Sequence, residues 1–209
     1  MSDLQSIKEA VINGNAAAVK ENVEKAVAEG VVVSTILDDA LIAGMNVIGV
    51  RFKNNEIYVP EVLIAARAMH AGLAVIKPLI AKSGVQEKGT VVLGTVKGDL
   101  HDIGKNLVGM MLEGAGYKVI DLGVDNAPEK FVQAVEEHKP QILGMSALLT
   151  TTMTQMKVTV EQLAPYRDKV KIMIGGAPVT QKFADDIGVD AYAPDGASAV
   201  DVVNGFVAL

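Results

Sequence analysis

The chain contains no cysteine and no tryptophan, and its aromatic residues are limited to four tyrosines and four phenylalanines among 209 residues. Without cysteine the protein can form no disulfide, no iron–sulfur cluster and no thiolate zinc site, a composition that fits a reducing cytoplasm. A net charge of −6 and the lack of any basic stretch do not suit a nucleic-acid backbone. No apolar run approaches the roughly 20 residues that a membrane span needs. We therefore expect a cytoplasmic protein that binds neither nucleic acid nor membrane.

The first 88 residues show helical spacing of apolar residues and no convincing strand pattern. This spacing predicts four helices, over residues 4–12, 15–29, 34–52 and 60–83. Four helices of this length with short connections are typical of a small helical bundle. A polar segment bounded by glycines, residues 86–89, then predicts a linker. We therefore place a helical domain over residues 1–88.

From residue 89 onward, short β-rich runs alternate with helical segments. The runs predict five strands, over residues 90–96, 117–122, 142–146, 170–174 and 191–193. The segments between and after them predict helices over residues 104–114, 128–138, 152–165, 180–187 and 197–207. This alternation predicts a five-stranded parallel, doubly wound sheet with helices on both faces, over residues 89–209. Domains of this kind bind ligands beyond the carboxyl ends of their strands.

Only three histidines are present, so few residues could hold a transition metal. His70 and His138 fall within predicted helices, and we interpret both as structural. His101 differs because it lies in the loop 98–104, between the first strand and the next helix. There Asp99 can accept a hydrogen bond from one ring nitrogen and leave the other as a more basic metal ligand. The alternative is an ordinary strand-to-helix turn in which Asp99 caps the helix.

Three short motifs stand in the second half of the chain. In order they are Asp99-x-His101-x-x-Gly104, Ser146-Ala147-Leu148 and Gly175-Gly176. Their order and spacing resemble the cobalamin-binding signature of cobalamin-dependent methionine synthase, the B12-dependent mutases and the small corrinoid proteins of methyltransferase systems. The longer string 94–106 and the helical segment 58–69 resemble the methyl-transferring branch of that group. The resemblance covers nearly the whole chain and implies a helical cap followed by a flavodoxin-like or Rossmann-like domain that binds cobalamin or a related corrinoid.

The resemblance also implies a role for each motif residue. His101 would be the lower axial ligand of cobalt, Asp99 would hold His101, and Ser146 would donate a hydrogen bond to Asp99 and complete a proton-relaying triad. Residues implied to contact the cofactor elsewhere are Gly98, Asp102, Ile103, Gly104, Leu148, Thr150, Gly175 and Gly176, of which Leu148 and Thr150 would line the slot for the nucleotide tail. By themselves, Ser146 is equally a turn residue, Gly104 a close-packing position and Gly175-Gly176 a tight strand exit.

The implied function is that of a methyl carrier without a complete active site of its own. The chain would take a methyl group from a substrate:corrinoid methyltransferase and pass it to a second methyltransferase that serves tetrahydrofolate or a thiol, and a reductive activase would restore the cobalt. Tyr58 would cover the corrin, or alternatively pack in the helical core. The methyl donor, whether methanol, a methylamine, a betaine or a methoxyaromatic, is not encoded in this chain. The alternatives are a flavodoxin-like electron carrier and a B12-dependent sensor or regulatory module.

Overall fold

The computed structural model of the protein describes residues 4–83 and 87–207. It divides into two compact units, one of Met1–Glu87 with Gly114–Gly116 and one of Lys88–Glu113 with Tyr117–Leu209. The first unit ends at residue 87, one residue before the end of the helical domain predicted from the sequence, and it also includes Gly114–Gly116. Residue 86 of the expected linker lies outside the described residues.

The first unit contains four helices: α1 (Leu4–Ile12), α2 (Ala16–Ala28), α3 (Val33–Lys53) and α4 (Val59–Ser83). Asn15 caps α2 by accepting a hydrogen bond from the backbone N–H of Ala18 at 3.1 Å. Pro60 stands in the first turn of α4, where its missing N–H has no intrahelical partner. The helix continues through Pro78, and the expected stop at residue 84 lies outside the described residues. The predicted helical character of this half of the chain is confirmed.

The helix α3 contains a π-helical segment, Ile36–Ile42, that sequence reasoning missed. The buried residues of this segment are Ile36, Ala40, Leu41 and Ile42, and the α-helical turns that follow bury Gly44, Met45 and Ile48. A π turn is wider than an α turn and is rare in proteins.

The expectation that no stretch of the chain approaches a membrane span needs correction. By length and composition alone, Val33–Lys53 and Val59–Leu79 are long and apolar enough to cross a membrane. The expectation considered uninterrupted apolar runs, whereas these helices combine many apolar residues with few charges. Part of each helix faces the interior of the unit, including Leu41 on α3 and Met69 on α4, and core helices of this kind pass the same test.

The second unit is a parallel sheet of five strands with helices between them. Its elements are β1 (Thr90–Thr95), α5 (Ile103–Gly114), β2 (Lys118–Asp121), α6 (Pro128–His138), β3 (Ile142–Ser146), α7 (Met153–Gln162), β4 (Lys171–Gly175), α8 (Gln181–Ile187), β5 (Ala191–Tyr192) and α9 (Gly196–Val207). A short 3₁₀ segment, Ala164–Tyr166, follows α7. The strand order β2-β1-β3-β4-β5 confirms the predicted doubly wound fold. Its switch point lies between β1 and β3.

The central strands of the sheet are buried and in register, and this determines where the loops at its carboxyl edge begin. Val92, Leu143 and Ile172 form one row across β1, β3 and β4, and all three are fully buried. Burying side chains of this size stabilises a fold by roughly 1.5–3 kcal/mol each. At the edge of the sheet, Ser146 pairs in register with Thr95 on one side and Gly175 on the other. The loops that follow β1, β3 and β4 therefore start side by side.

Candidate functional site

The loop that follows β1 is held by the loop that follows β2. Gly98 has a left-handed backbone with φ of +81°, which places its N–H 2.7 Å from Oδ1 of Asp125. The backbone N–H of Asp125 in turn donates to the carbonyl oxygen of Asp99 at 3.0 Å. Asp99 closes the turn by donating its own N–H to the carbonyl of Val96 at 3.2 Å. These bonds fix the position of Asp99 at the switch point.

The carboxylate of Asp99 is fully buried and accepts hydrogen bonds from five donors. Its Oδ1 accepts from the Nδ1 and backbone N of His101, at 2.7 and 3.1 Å. Its Oδ2 accepts from the backbone N of Leu148 and Leu149 at 2.7 and 3.2 Å, and from Oγ1 of Thr152 at 2.8 Å. Burial alone raises the pKa of Asp99, but these hydrogen bonds outweigh it and hold the pKa well below its ordinary value. Asp99 is therefore ionised and acts only as an acceptor.

The ring of His101 is oriented by Asp99, while its side chain remains 52% exposed. Because an ionised carboxylate cannot donate, Nδ1 of the neutral ring carries the hydrogen and Nε2 keeps its lone pair. The backbone is held as well, since Oγ1 of Thr95 donates to the carbonyl of His101 at 2.9 Å. The described residues contain no group of three or more histidine, aspartate or glutamate side chains that could hold a metal ion.

The hydrogen bond expected from Ser146 to Asp99 is wrong. Within the part of the chain that the structure describes, no bond joins the two side chains, and the hydroxyl on Oδ2 belongs to Thr152. Ser146 ends β3 and accepts a backbone hydrogen bond from Val96 at 3.0 Å. The donors to Oδ2 come instead from the turn over residues 148–152, which follows Ser146 in the chain. A contact of Ser146 with a cofactor stays a prediction.

Four large apolar side chains are exposed in the two loops that meet at Asp99 and at the start of α5. They are Leu100, Ile103, Leu148 and Leu149, with exposed fractions of 71, 76, 41 and 42%. Exposed apolar residues grouped in this way mark surfaces that bind a partner or ligand. The sequence interpretation included Ile103 and Leu148 but missed Leu100 and Leu149. The sequence could have indicated Leu100 and Leu149, because each is a large apolar residue next to a motif residue in a predicted loop, where polar residues are usual.

The glycines of the motifs differ in whether the surrounding structure leaves room for a side chain. A Cβ placed on Gly104 would meet nothing within 4 Å, so the close-packing alternative is wrong. Gly176 has φ of +126°, and a Cβ there would lie 1.9 Å from the carbonyl oxygen of Ala147. A Cβ on Gly175 would lie 2.8 Å from the carbonyl oxygen of Ala193. The tight strand exit is confirmed for this pair, and approach of a nucleotide tail to it stays a prediction.

The remaining sequence-predicted residues are accessible. Asp102 is exposed and accepts a hydrogen bond from Nδ2 of Asn106 at 3.1 Å, and Thr150 is also exposed. In the helical unit, Tyr58 is 66% exposed, so the core-packing alternative is wrong for it. The backbone N–H of Tyr58 donates to Oε2 of Glu61 at 3.1 Å and begins α4. Contacts of Asp102, Thr150 and Tyr58 with a cofactor stay predictions.

Sequence reasoning also assigned no role to Lys105, which the structure buries in the first turn of α5. Its ammonium group donates to both carboxylate oxygens of Asp121 at 2.6 and 2.7 Å, and to Oδ1 of Asn106 at 2.7 Å. Asp121 ends β2 and also accepts the N–H of Gly123 at 2.8 Å. A buried ammonium needs this degree of pairing. One end of the His101 loop is therefore anchored to the loop that follows β2, through Asp125, and the other end to the last residue of β2, Asp121.

Comparison with known proteins places both units in described families. The sequence matches a family described as "B12 binding domain" over residues 89–203, and a second family of the same description over residues 3–77. A corrinoid protein of Desulfitobacterium hafniense (strain Y51) is 44% identical over 209 residues, covering 98% of this chain and 97% of that protein. Trimethylamine corrinoid protein 1 of Methanosarcina acetivorans is 45% identical over 201 residues, with 94 and 92% covered. A chain of the methanol:cobalamin methyltransferase complex MtaBC from Methanosarcina barkeri matches with a TM-score of 0.88 and 34% identity, covering 98% of this chain and 79% of that one.

Proposed function

The chain belongs to the family of B12-binding corrinoid proteins, and we propose that it carries a methyl group from a substrate:corrinoid methyltransferase to a second methyltransferase. Its cofactor is cobalamin or a related corrinoid. One relative is named for trimethylamine and another belongs to a methanol:cobalamin methyltransferase complex, and both support the first transfer. The observation that carries the site assignment is the His101 ring, which is held at Nδ1 by a buried carboxylate and half exposed elsewhere.

The residues at the switch point fit a corrinoid. When bound, the corrinoid supplies a cobalt that accepts and releases the methyl group. His101 ligates the metal through Nε2, because Nδ1 is engaged by Asp99. The negative charge of Asp99 makes the imidazole of His101 a more basic ligand. The five hydrogen bonds to the carboxylate of Asp99 hold that carboxylate in its orientation toward His101.

The surface around His101 fits the rest of the cofactor. The exposed side chains of Leu100, Ile103 and Leu149 would offer apolar surface to the cofactor and would help to exclude water around His101. The open side of Gly104 lets the cofactor approach the start of α5. Leu148 and Thr150 would line the slot for the nucleotide tail, and Gly175 and Gly176, at the end of β4, would let the tail approach the backbone. Gly98 and Asp102 border the same surface.

The further partners follow from the same carrier role. The second methyltransferase loads tetrahydrofolate or a thiol, and a reductive activase restores cobalt that has been oxidised. We assign the choice of methyl donor to the first methyltransferase. Tyr58, exposed at the start of α4, is our candidate for covering the corrin. The cytoplasmic location stays a prediction.

The carrier role is tested with the purified apoprotein and hydroxocobalamin. We expect a single corrinoid per chain and, after reduction, methylation by methyl iodide as a positive control. The reduced protein is then mixed with purified methyltransferases for trimethylamine, dimethylamine and methanol, each with its deuterated substrate, and the label on the corrinoid is measured by mass spectrometry. Labelling by one of these enzymes is the expected result. Stoichiometric binding with no labelling by any of them supports the sensor module, and binding of FMN instead of corrinoid supports the electron carrier.

Replacement of Gly104 by alanine separates the stability of the protein from its affinity for the cofactor. Because a methyl group at Gly104 meets nothing, Gly104→Ala should stabilise the apoprotein by up to roughly 1 kcal/mol through the loss of backbone freedom in the unfolded chain. The same methyl group should lower corrinoid affinity about tenfold, which corresponds to roughly 1.4 kcal/mol. Gly205→Ala is the matched control, since Gly205 is also helical, exposed and open on its Cβ side. Equal corrinoid affinity in both variants contradicts a cofactor contact at Gly104.

A further inference from the structure

We propose that Asp125 is a positioning residue for His101, because it holds the loop that carries the histidine from a neighbouring strand. The proposal deepens the carrier function and rests on it for the ligand role of His101. Asp125 belongs to none of the three motifs in the sequence and lies in the loop that follows β2. It contacts Gly98 and Asp99, which stand just before His101, and we expect these contacts to determine how tightly a corrinoid is bound.

The loop that carries Asp125 is itself fixed against the end of β1. The backbone N–H of Thr95 donates to the carbonyl of Gly123 at 3.0 Å, and the backbone N–H of Asn126 donates to the carbonyl of Thr95 at 3.0 Å. The side-chain amide of Asn126, which is fully buried, donates to the carbonyls of Thr95 and Gly123 at 2.8 and 2.9 Å. The chain on both sides of Asp125 therefore cannot leave β1 without breaking several hydrogen bonds.

Asp125 has a left-handed backbone, with φ of +53°. Residues other than glycine rarely adopt this conformation, although aspartate and asparagine do so more readily than most. In this conformation Oδ1 of Asp125 lies 2.7 Å from the backbone N of Gly98. A glycine in place of Asp125 would adopt the same backbone without strain but would offer Gly98 no acceptor. The side chain of Asp125 therefore serves the contact with Gly98, and the turn itself does not require it.

Asp125 holds two consecutive residues of the His101 loop through different groups. Its carboxylate accepts the N–H of Gly98, and its own N–H donates to the carbonyl of Asp99 at 3.0 Å. A hydrogen bond to a carboxylate is roughly twice as strong as one between neutral groups, so the contact with Gly98 is the stronger of the two. The carboxylate of Asp99 in turn orients the ring of His101. Because a binding site has to be held within roughly 0.5 Å of its productive geometry, a shift of this loop should weaken the ligand.

Three substitutions separate the side-chain contact from the backbone conformation. Asp125→Asn keeps an oxygen acceptor and tolerates the left-handed backbone, whereas Asp125→Gly keeps the backbone and removes the acceptor. Lys139→Gly is the matched control, because Lys139 is also exposed and left-handed, with φ of +46°, and follows α6 at the opposite edge of the sheet. Both glycine variants relieve the same backbone strain, and only Asp125→Gly removes a contact with the His101 loop.

The first readout is amide hydrogen exchange in the ¹⁵N-labelled apoprotein, which needs no cofactor. Asp125→Gly should raise the exchange rates of the Gly98 and His101 amides about tenfold, because the loop opens more often once a hydrogen bond to a charged acceptor is lost. The amides of β3, which report on the whole sheet, should change equally in the two glycine variants. Asp125→Asn and Lys139→Gly should not open the loop in this way.

The second readout is the binding of hydroxocobalamin, followed by electron paramagnetic resonance of the Co(II) form. Changes behind a metal ligand weaken binding about 10- to 100-fold, and we expect the lower end of that range for Asp125→Gly. Imidazole coupling should then come from only part of the bound cobalt. Asp125→Asn should retain most of the affinity and of the coupling, and Lys139→Gly should match the wild type.

Wild-type exchange rates at Gly98 and His101 in Asp125→Gly overturn the proposal. A loss of affinity of the same size in Asp125→Asn or in Lys139→Gly overturns it as well, because neither variant removes the acceptor from Gly98. Failure of the wild type to bind corrinoid contradicts the carrier function instead. The hold of Asp125 on the loop is then still decided by the exchange rates, because they are measured on the apoprotein.

Discussion

His101→Ala is expected to abolish the imidazole signature of the bound cofactor while leaving the fold intact. The side chain is half exposed in a loop at the edge of the sheet, so its removal costs little packing. It removes the one ring nitrogen that the site offers to a metal. Corrinoid affinity should therefore fall by more than the 10- to 100-fold that changes behind a ligand cause. Electron paramagnetic resonance of the Co(II) form reports the ligand directly through coupling to nitrogen.

The matched control for this variant is His138→Ala. His138 ends α6, which leads into the start of β3, and it therefore lies at the amino edge of the sheet, opposite His101. Its Nε2 is 3.9 Å from Oε1 of Glu137. The nitrogen coupling should be unchanged in this variant. A coupling that survives in His101→Ala and disappears in His138→Ala shows that the ligand has been assigned to the wrong histidine.

Asp99→Asn is expected to produce the largest loss of stability among these variants. Both carboxylate oxygens face donors, so the amide nitrogen of asparagine meets a donor whichever way it turns. Buried donors without an acceptor cost roughly 1–3 kcal/mol, and more where a charged partner has been removed. We expect a loss of about 3 kcal/mol in the free energy of unfolding of the apoprotein, measured with urea. Corrinoid affinity should fall 10- to 100-fold as well.

The pH dependence of this loss tests the cause. Burial raises the pKa of Asp99, but hydrogen bonds from Leu148, His101 and Thr152 outweigh it, so folding lowers the pKa below its ordinary value of 3.8. The stabilisation by Asp99 is therefore fully present above about pH 4 and is lost as the pH falls toward the lowered pKa of the folded state. The difference in stability between wild type and Asp99→Asn should be constant near neutral pH and shrink below about pH 4.

The control for the loss of one carboxylate is Asp168→Asn, at an exposed position. It should change the free energy of unfolding by less than about 0.5 kcal/mol, as surface substitutions usually do. A difference between wild type and Asp99→Asn that stays the same from neutral pH down to pH 3 contradicts a lowered pKa for the buried carboxylate.

The sequence by itself determined the features that depend on neighbouring residues and on parallel topology. Apolar spacing predicted the helical half, and the alternation of strands and helices predicted the doubly wound sheet. Since parallel strands present their carboxyl ends at one edge, the position of His101 after the first strand placed it beside the loop that follows β3. Asp99, two residues away in the chain, could be paired with His101 by local geometry alone.

Tertiary structure decided which distant groups reach the Asp99 carboxylate. Ser146 is the last residue of β3 and matched the expected motif, yet the turn after it brings Thr152 to the carboxylate oxygen, and no local pattern encodes the path of that turn. The ion pair of Lys105 with Asp121 likewise joins residues on different elements. Whether a side chain at Gly104 would meet other atoms also depends on which residues the fold brings near it. Contacts of this kind join residues 16 or 53 positions apart in the chain, and the packing of the sheet brings them together, which the linear pattern does not reveal.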